Sequence, residues 1–363
     1  MYVVDRSHFH STDVFSNKFE DVQTEMGMQI SASLSLQSYD LSKLYDPSVE
    51  AKIWGVAVKG TQQDLPPMLF PEYTRPGNVS YVYRELDFWT SGFFPGSLYL
   101  LLERKRKYPH AADARRAGAS KTGNSDMFAA AIQHARTTAR THIRSDGSTT
   151  HLIVLDACTG NVKHRLTNQG YSHTSCWARG QAWAIAGFAE TYHWTHDEEF
   201  LRTSRLAADF FLARLPMNKI VPWDFDALEV EGSSQPPDSS AAMIAAYGML
   251  LIHQALVALG NSSPYLTEAL KIIQAVCENH MNPAATLVTT TSLVETVEHG
   301  PTPTSILGID VGVGESILNG ATINNYKFAP RRWANHGLVY ADYYFLLVGN
   351  KLLEMDIMPH NMG

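Results

Sequence analysis

Apolar positions along this chain recur mostly every three to four residues, the spacing that turns one helix face inward. The pattern predicts helices over residues 30–45, 47–58, 177–194, 197–215, 266–281 and 340–355. A further helix carries Leu98, Leu101 and Leu102, starts near Thr90 or Ser91, and closes on the basic turn from Arg104 to Lys107. Another begins at Ser125 or Asp126 and runs to about His142, with Phe128, Ile132 and Ala135 on one stripe. In the 197–215 helix the apolar face is Phe200, Leu201, Ala208 and Phe211. Asp238 or Ser239 caps a long apolar helix that follows the pair Pro236 and Pro237. The spacing changes to two only in residues 147–170, where HLIVLDACTGNV turns at Thr159–Asn161 and reads as a β-hairpin. Residues 1–28, 60–82, 108–124 and most of 282–336 read as irregular or loop, rich in Pro, Gly, Thr or Asn. The expectation is a mainly α chain, with one domain over residues 29–363 after an irregular segment 1–28.

Composition narrows the function classes. The chain has 363 residues, 45% of them hydrophobic and 18% charged, and a formal charge of −7. That balance suits a globular protein and argues against a nucleic-acid partner, because Lys and Arg form no long basic stripe. The uncharged run 241–258 is broken by Tyr247, Gly248, His253 and Gln254, so it reads as a core helix and no membrane partner is expected. The N-terminal sequence shows no secretory pattern, and a cytoplasmic setting is expected. Cys158, Cys176 and Cys277 are too scattered for a disulfide framework. No zinc or nucleotide-phosphate motif is present, so neither metal nor cofactor is expected.

The chemistry concentrates in residues 172–192, SHTSCWARGQAWAIAGFAETY. Trp177 and Trp183 offer flat apolar faces, Arg179 a planar fork suited to a carboxylate, and Gln181 both a donor and an acceptor. Gly180 leaves room for close approach to backbone. Aromatic faces with polar edges suit a sugar, and the arginine points to a uronic acid. The plain alternative is a helix start with core tryptophans.

Four segments in order carry a resemblance: FWTSGFFPG at 88–96, TNQGYSHTSCWARGQAWAIAGFAETY at 167–192, VPWDFDA at 221–227 and PPDSSAAMIAAYGMLLI at 236–252. With the closing YADYYFLLVGNKLLE they resemble the unsaturated glucuronyl hydrolases, glycoside hydrolase family 88, from about Leu44 onward. The resemblance implies an (α/α)6 toroid of helical hairpins with an active site at one open end and no cofactor. It implies removal of a 4,5-unsaturated uronic acid from the non-reducing end of an oligosaccharide. An aspartate protonates C4 of the vinyl ether, water adds at C5, and the resulting hemiketal opens and releases the sugar. Carried over residue by residue, it implies substrate contacts from Trp89, His151, Gln169, Trp177, Arg179 and Trp183. Core packing for the tryptophans, a hydrogen-bonded strand histidine and an internally paired arginine are the structural alternatives.

The sequence departs from the family where chemistry matters most. Neither aspartate-bearing motif, H-D-x-G-F or I-I-D-x-M-M-N, occurs here. A block near residues 110–121 reads as lost, and the toroid is expected to be incomplete. A ring short of a hairpin would expose apolar side chains, each at about 1.5–3 kcal/mol. Asp156 reads as a turn residue, Asp224 and Asp238 as a loop anchor and an N-cap, and no catalytic acid is assigned. The alternatives are a non-catalytic uronic-acid-binding or sugar-binding protein of the same fold, an unsaturated rhamnogalacturonyl hydrolase, and a helical-ring epimerase.

Overall fold

Asp238 starts a helix that is buried on nearly every side. In the computed structural model its carboxylate accepts from the backbone N–H groups of Ser240 and Ala241, satisfying two donors that a helix start leaves open. The structure describes residues 39–61, 68–108, 125–228, 234–294, 300, 302–312 and 314–357. Residues Leu41–Gly363 form one unit and Met1–Asp40 another. The described part of the larger unit contains eight α-helices: α1 (Pro47–Thr61), α2 (Phe93–Lys107), α3 (Ser125–His142), α4 (Ala178–Thr195), α5 (Glu198–Arg214), α6 (Ser239–Ala258), α7 (Tyr265–Asn279) and α8 (Val339–Glu354). Three antiparallel strand pairs accompany them: β1 (Leu69–Thr74) with β2 (Tyr81–Glu85), β3 (Leu152–Leu155) with β4 (Val162–Leu166), and β5 (Thr286–Val294) with β6 (Thr302–Asp310).

Helices α4 and α5 form one hairpin and α6 and α7 the next, and α6 packs on α4 and on α8, which in turn packs on α2. At the α4–α6 crossing, a Cβ on Gly248 would lie 2.7 Å from the backbone nitrogen of Ala186, so glycine permits the approach. Ser239–Ala258 is apolar and long enough to cross a membrane, but 78% of its most apolar window is buried inside the protein, as a core helix requires. Phe200, Leu201, Ala208 and Phe211 are all buried, as the pattern of α5 predicts.

Three expectations need correction. On α2 the buried residues are Phe94, Ser97 and Leu100, while Leu102 is exposed, and the helix starts after Gly92 with no side-chain cap. The predicted stripe of α3 is not a core face: Phe128 is 48% exposed, and Ile132 and Ala135 are only half-buried. Tyr99 on α2 is 72% exposed. Apolar side chains thus lie open on both helices that flank residues 109–124. Residues 60–82 and 282–336, read as loops, contain β1, the start of β2, and the whole β5–β6 hairpin. The predicted 30–45 helix lies mostly outside the described residues, and its described end is a short 3-10 turn, Ser42–Tyr45.

Candidate active site

The loop between β4 and α4 is built around Asp224, which is fully buried. Its Oδ2 accepts from the Tyr171 N–H and the Ser175 hydroxyl, both at 2.8 Å, while Oδ1 accepts from the Asp226 N–H at 3.0 Å. Asp224 is therefore the anchor expected from sequence. Trp177 bridges to it through backbone and stands at the N-cap of α4 in extended conformation. This geometry sets the direction in which Trp177, Arg179 and Trp183 leave the helix.

Arg179 is 1% exposed and forms the hub of the site. Its Nη1 donates to Asp238 Oδ2 at 2.6 Å, Ser240 Oγ at 3.0 Å and the Thr322 carbonyl at 2.9 Å, and its Nη2 donates to the Ile323 carbonyl at 2.8 Å. The guanidinium carbon lies 4.6 Å from the Trp177 ring centre and 5.4 Å from that of Tyr340. The fork points into the protein and is engaged there, which corrects the expectation of a planar fork offered to a carboxylate. Gln169 reaches the same Ile323 carbonyl, at 3.0 Å from Nε2.

The aromatic side chains form one connected wall. Trp89 lies 5.5 Å from Tyr340 between ring centres, Trp183 lies 6.4 Å from Tyr340, and His151 lies 4.3 Å from Trp177. Trp89 is 61% exposed, so its face is open to a ligand, whereas Trp177 is buried and its indole Nε1 has no hydrogen-bond partner among the described residues. The structure therefore gathers all six sequence-derived residues, Trp89, His151, Gln169, Trp177, Arg179 and Trp183, into one patch. Sequence reasoning missed Tyr340, which links the halves of the wall. Its available signal was the aromatic run Tyr340, Tyr343, Tyr344 and Phe345 at the start of α8. His336 was also missed; it is buried behind the patch and accepts from Ile323 N at 3.4 Å through Nε2.

Two other expectations resolve differently. A Cβ on Gly180 would lie 3.1 Å from the Trp177 ring, so the missing side chain makes room for that indole rather than for a ligand. Gln181 is fully buried, and its Nε2 donates to the carbonyls of Gly147 and Ala207 at 2.7 and 2.9 Å. It ties α4 to its neighbours. Asp156 is the turn residue expected: its Oδ1 accepts from the N–H groups of Cys158 and Thr159 at the β3–β4 tip.

Electrostatics favour neutral imidazoles here. Burial, with the nearby charges of Arg179 and His142, lowers His151 to about 4. Its Nδ1 is paired with the Thr167 hydroxyl at 2.8 Å. Burial lowers His336 to about 4 as well, with Arg179 contributing. Protonation of His151 is therefore expected only as pH falls through about 4, and the stability tied to its neutral form is lost between about 6.5 and 4. An NMR titration of its ring carbons should show no midpoint above 5; one near 6.5 would contradict the buried placement. The carboxyl in direct contact with the hub is Asp238, which is committed to Arg179, Ser240 and the helix cap. Among the described residues no cluster of three or more His, Cys, Asp or Glu side chains is placed to hold a metal ion.

Comparisons with known proteins agree on one group of enzymes. No family model matches the chain. An unsaturated glucuronyl hydrolase from Formosa agariphila is 32% identical over 218 residues, 60% of this chain and 46% of that protein. An unsaturated chondroitin disaccharide hydrolase from Streptococcus pyogenes is 38% identical over 143 residues, 39% of this chain and 35% of its own length. The chain thus spans less than half the length of these relatives. Among solved structures, an unsaturated glucuronyl hydrolase from Bacillus sp. GL1 superposes with a TM-score of 0.63 at 20% identity, covering 86% of this chain and 96% of that one. One described as specific for heparin reaches 0.64 at 19% identity, covering 87% and 98%. At that identity the likeness concerns the fold, the toroid of helical hairpins.

Proposed function

We propose that this chain, a relative of the unsaturated glucuronyl hydrolases, binds a 4,5-unsaturated uronyl residue at the non-reducing end of an oligosaccharide against exposed Trp89 and half-buried Trp183, with buried Tyr340 and Trp177 supporting them from behind. The observation that carries this reading is the exposed face of Trp89, standing on Tyr340 beside the buried charge of Arg179. A sugar ring offers apolar C–H faces to the indoles, and its carboxylate gains from the cation behind them. His151 and Gln169 border the same wall with polar edges. Homologous enzymes that hydrolyse unsaturated disaccharides support this substrate class.

The proposed chemistry is that of the relatives, strongly slowed. Hydration of the C4–C5 bond needs a carboxylic acid over the ring to give its proton to C4 and to take one back from the attacking water. Asp238 is engaged in four hydrogen bonds, one of them its ion pair with Arg179, and the two aspartate motifs are missing from the sequence. General acid–base help is typically worth about 10²–10⁴-fold, so turnover should fall by at least that factor. Cys158 and Cys176 are free thiols, which suits the reducing cytoplasm that forms part of this reading.

The test combines calorimetry with the decay of absorbance from the double bond, using unsaturated chondroitin disaccharide. Saturable binding with turnover far below 1 s⁻¹ is expected. Absence of binding would sink the substrate assignment, and turnover in the ordinary range of about 1–10³ s⁻¹ would sink the account of the missing acid. Trp89→Ala should weaken binding at least tenfold while leaving the melting curve unchanged, because this ring is largely outside the core. Unchanged affinity would remove Trp89 from the wall.

A further inference from the structure

Beside the β4–α4 loop lies a concavity that the proposed chemistry does not use. Its volume is about 430 Å³, and Arg144, Asp146, Tyr171, Phe210, Arg214 and Asp226 are among its lining residues. That size falls within the roughly 300–1,000 Å³ of small-molecule sites. Tyr171, Ser172, Thr174 and Ser175 line it, and Trp177 follows two residues later in the chain. Buried Asp224 pins this stretch through Tyr171 and Ser175.

The polar groups are held in place. Arg144 donates to Ser148 Oγ at 3.0 Å and to the Ser175 carbonyl at 3.1 Å. Asp146 accepts from the N–H and the hydroxyl of Ser148 at 3.0 and 2.7 Å. Arg214 donates to the Phe225 carbonyl and pairs with Asp226 at 2.8 Å, and Asp226 also accepts from Cys176 N at 2.8 Å. Phe210 is supported edge-on by Phe225, with ring centres 6.1 Å apart, and Tyr171 edge-on by Trp223 at 6.5 Å.

We infer that this concavity is a second saccharide site, for a neutral sugar. Two guanidinium and two carboxylate groups balance in charge, so an anion attracted by either arginine meets a carboxylate nearby, and a cation meets the converse. A polyol suffers neither penalty. Its hydroxyls both donate and accept, matching the fixed carboxylates and guanidinium N–H groups, and its C–H face can lie on Phe210 or Tyr171. The occupant is either a neutral residue further along a chain held at the Trp89 wall or a separate glycan; both present the same chemistry.

Cellobiose and N-acetyllactosamine titrated into the full chain, followed by NMR and calorimetry, test this. Saturable millimolar binding to one of them is expected. Thr174→Trp, which fills the mouth from an exposed position, and Phe210→Ala should each weaken it at least tenfold. Both should leave unsaturated chondroitin disaccharide affinity within twofold. If an unsaturated tetrasaccharide with neutral reducing-end sugars also loses affinity in Thr174→Trp, the site extends the first; if only the free disaccharide does, it serves a separate glycan. No saturable binding of either neutral disaccharide, or binding that Trp89→Ala abolishes and Thr174→Trp leaves intact, would overturn the inference. That result would leave the uronyl assignment of the Trp89 wall standing.

Discussion

Arg179→Met is expected to destabilise the protein by about 3–5 kcal/mol, the range for removing one partner of a buried ion pair. Asp238 is fully buried and would be left ionised or forced to take a proton, the Thr322 carbonyl would lose the Arg179 donor, and the Ile323 carbonyl would keep only Gln169 of its two side-chain donors. Burial already pushes the Asp238 carboxyl upward, and Arg179 pulls it back. Urea unfolding followed by circular dichroism measures the effect. The double variant Arg179→Met with Asp238→Asn should recover part of the loss, because no unpaired charge then remains. A loss below 1 kcal/mol for the single variant would mean that the pair is not the hub described here. Arg179→Lys should restore the charge without the planar fork, giving intermediate stability.

Asp342→Ala is expected to cost about 3 kcal/mol or more at pH 4. Its carboxyl accepts from Ile317 N at 2.8 Å, Leu318 N at 3.0 Å and the Tyr81 hydroxyl at 2.7 Å, all buried, and each orphaned donor costs about 1–3 kcal/mol. These bonds join β2, α8 and the segment leading to Thr322 and Ile323, so sugar binding should weaken as well. Burial raises Asp342 to about 6, against the three hydrogen bonds that oppose it. A carboxyl whose folded pKa lies above its unfolded value stabilises most at low pH, and that contribution is lost as pH rises from about 4 through about 6. The wild-type stability curve should therefore carry a downward component across that window, and Asp342→Ala should lack it. Matching slopes in the two proteins would show that Asp342 titrates normally.

The helical frame was legible because burial on one face leaves a period. Helices α4 through α8 fall within a few residues of their predicted spans, and Asp238 caps α6 as its position before the apolar run suggests. The sequence grouped the candidate residues but not their orientation. Trp89 and Trp183 each lie against Tyr340 and Trp177 against Arg179, yet nothing in the order of residues shows that Arg179 turns toward Asp238, 59 positions away. An arginine fork can serve a ligand or a buried aspartate equally well, and only packing decides. The strand pairs β1–β2 and β5–β6 were missed because their β-branched and aromatic runs sit among Pro, Gly and Asn that read as loop, whereas β3–β4, an equally isolated ribbon, has an uninterrupted apolar run in β3. On α3 the helical period was present, yet Phe128 is exposed, because the period marks a helix without saying which neighbour covers it.

In the proposed reading one guanidinium serves both the scaffold and the recognition surface, and that has an evolutionary cost. Substitutions at position 179 that would retune the affinity for an acidic ligand would first have to survive folding. Changes in what the chain binds are therefore expected at the rim, where Trp89 can change without unseating a helix.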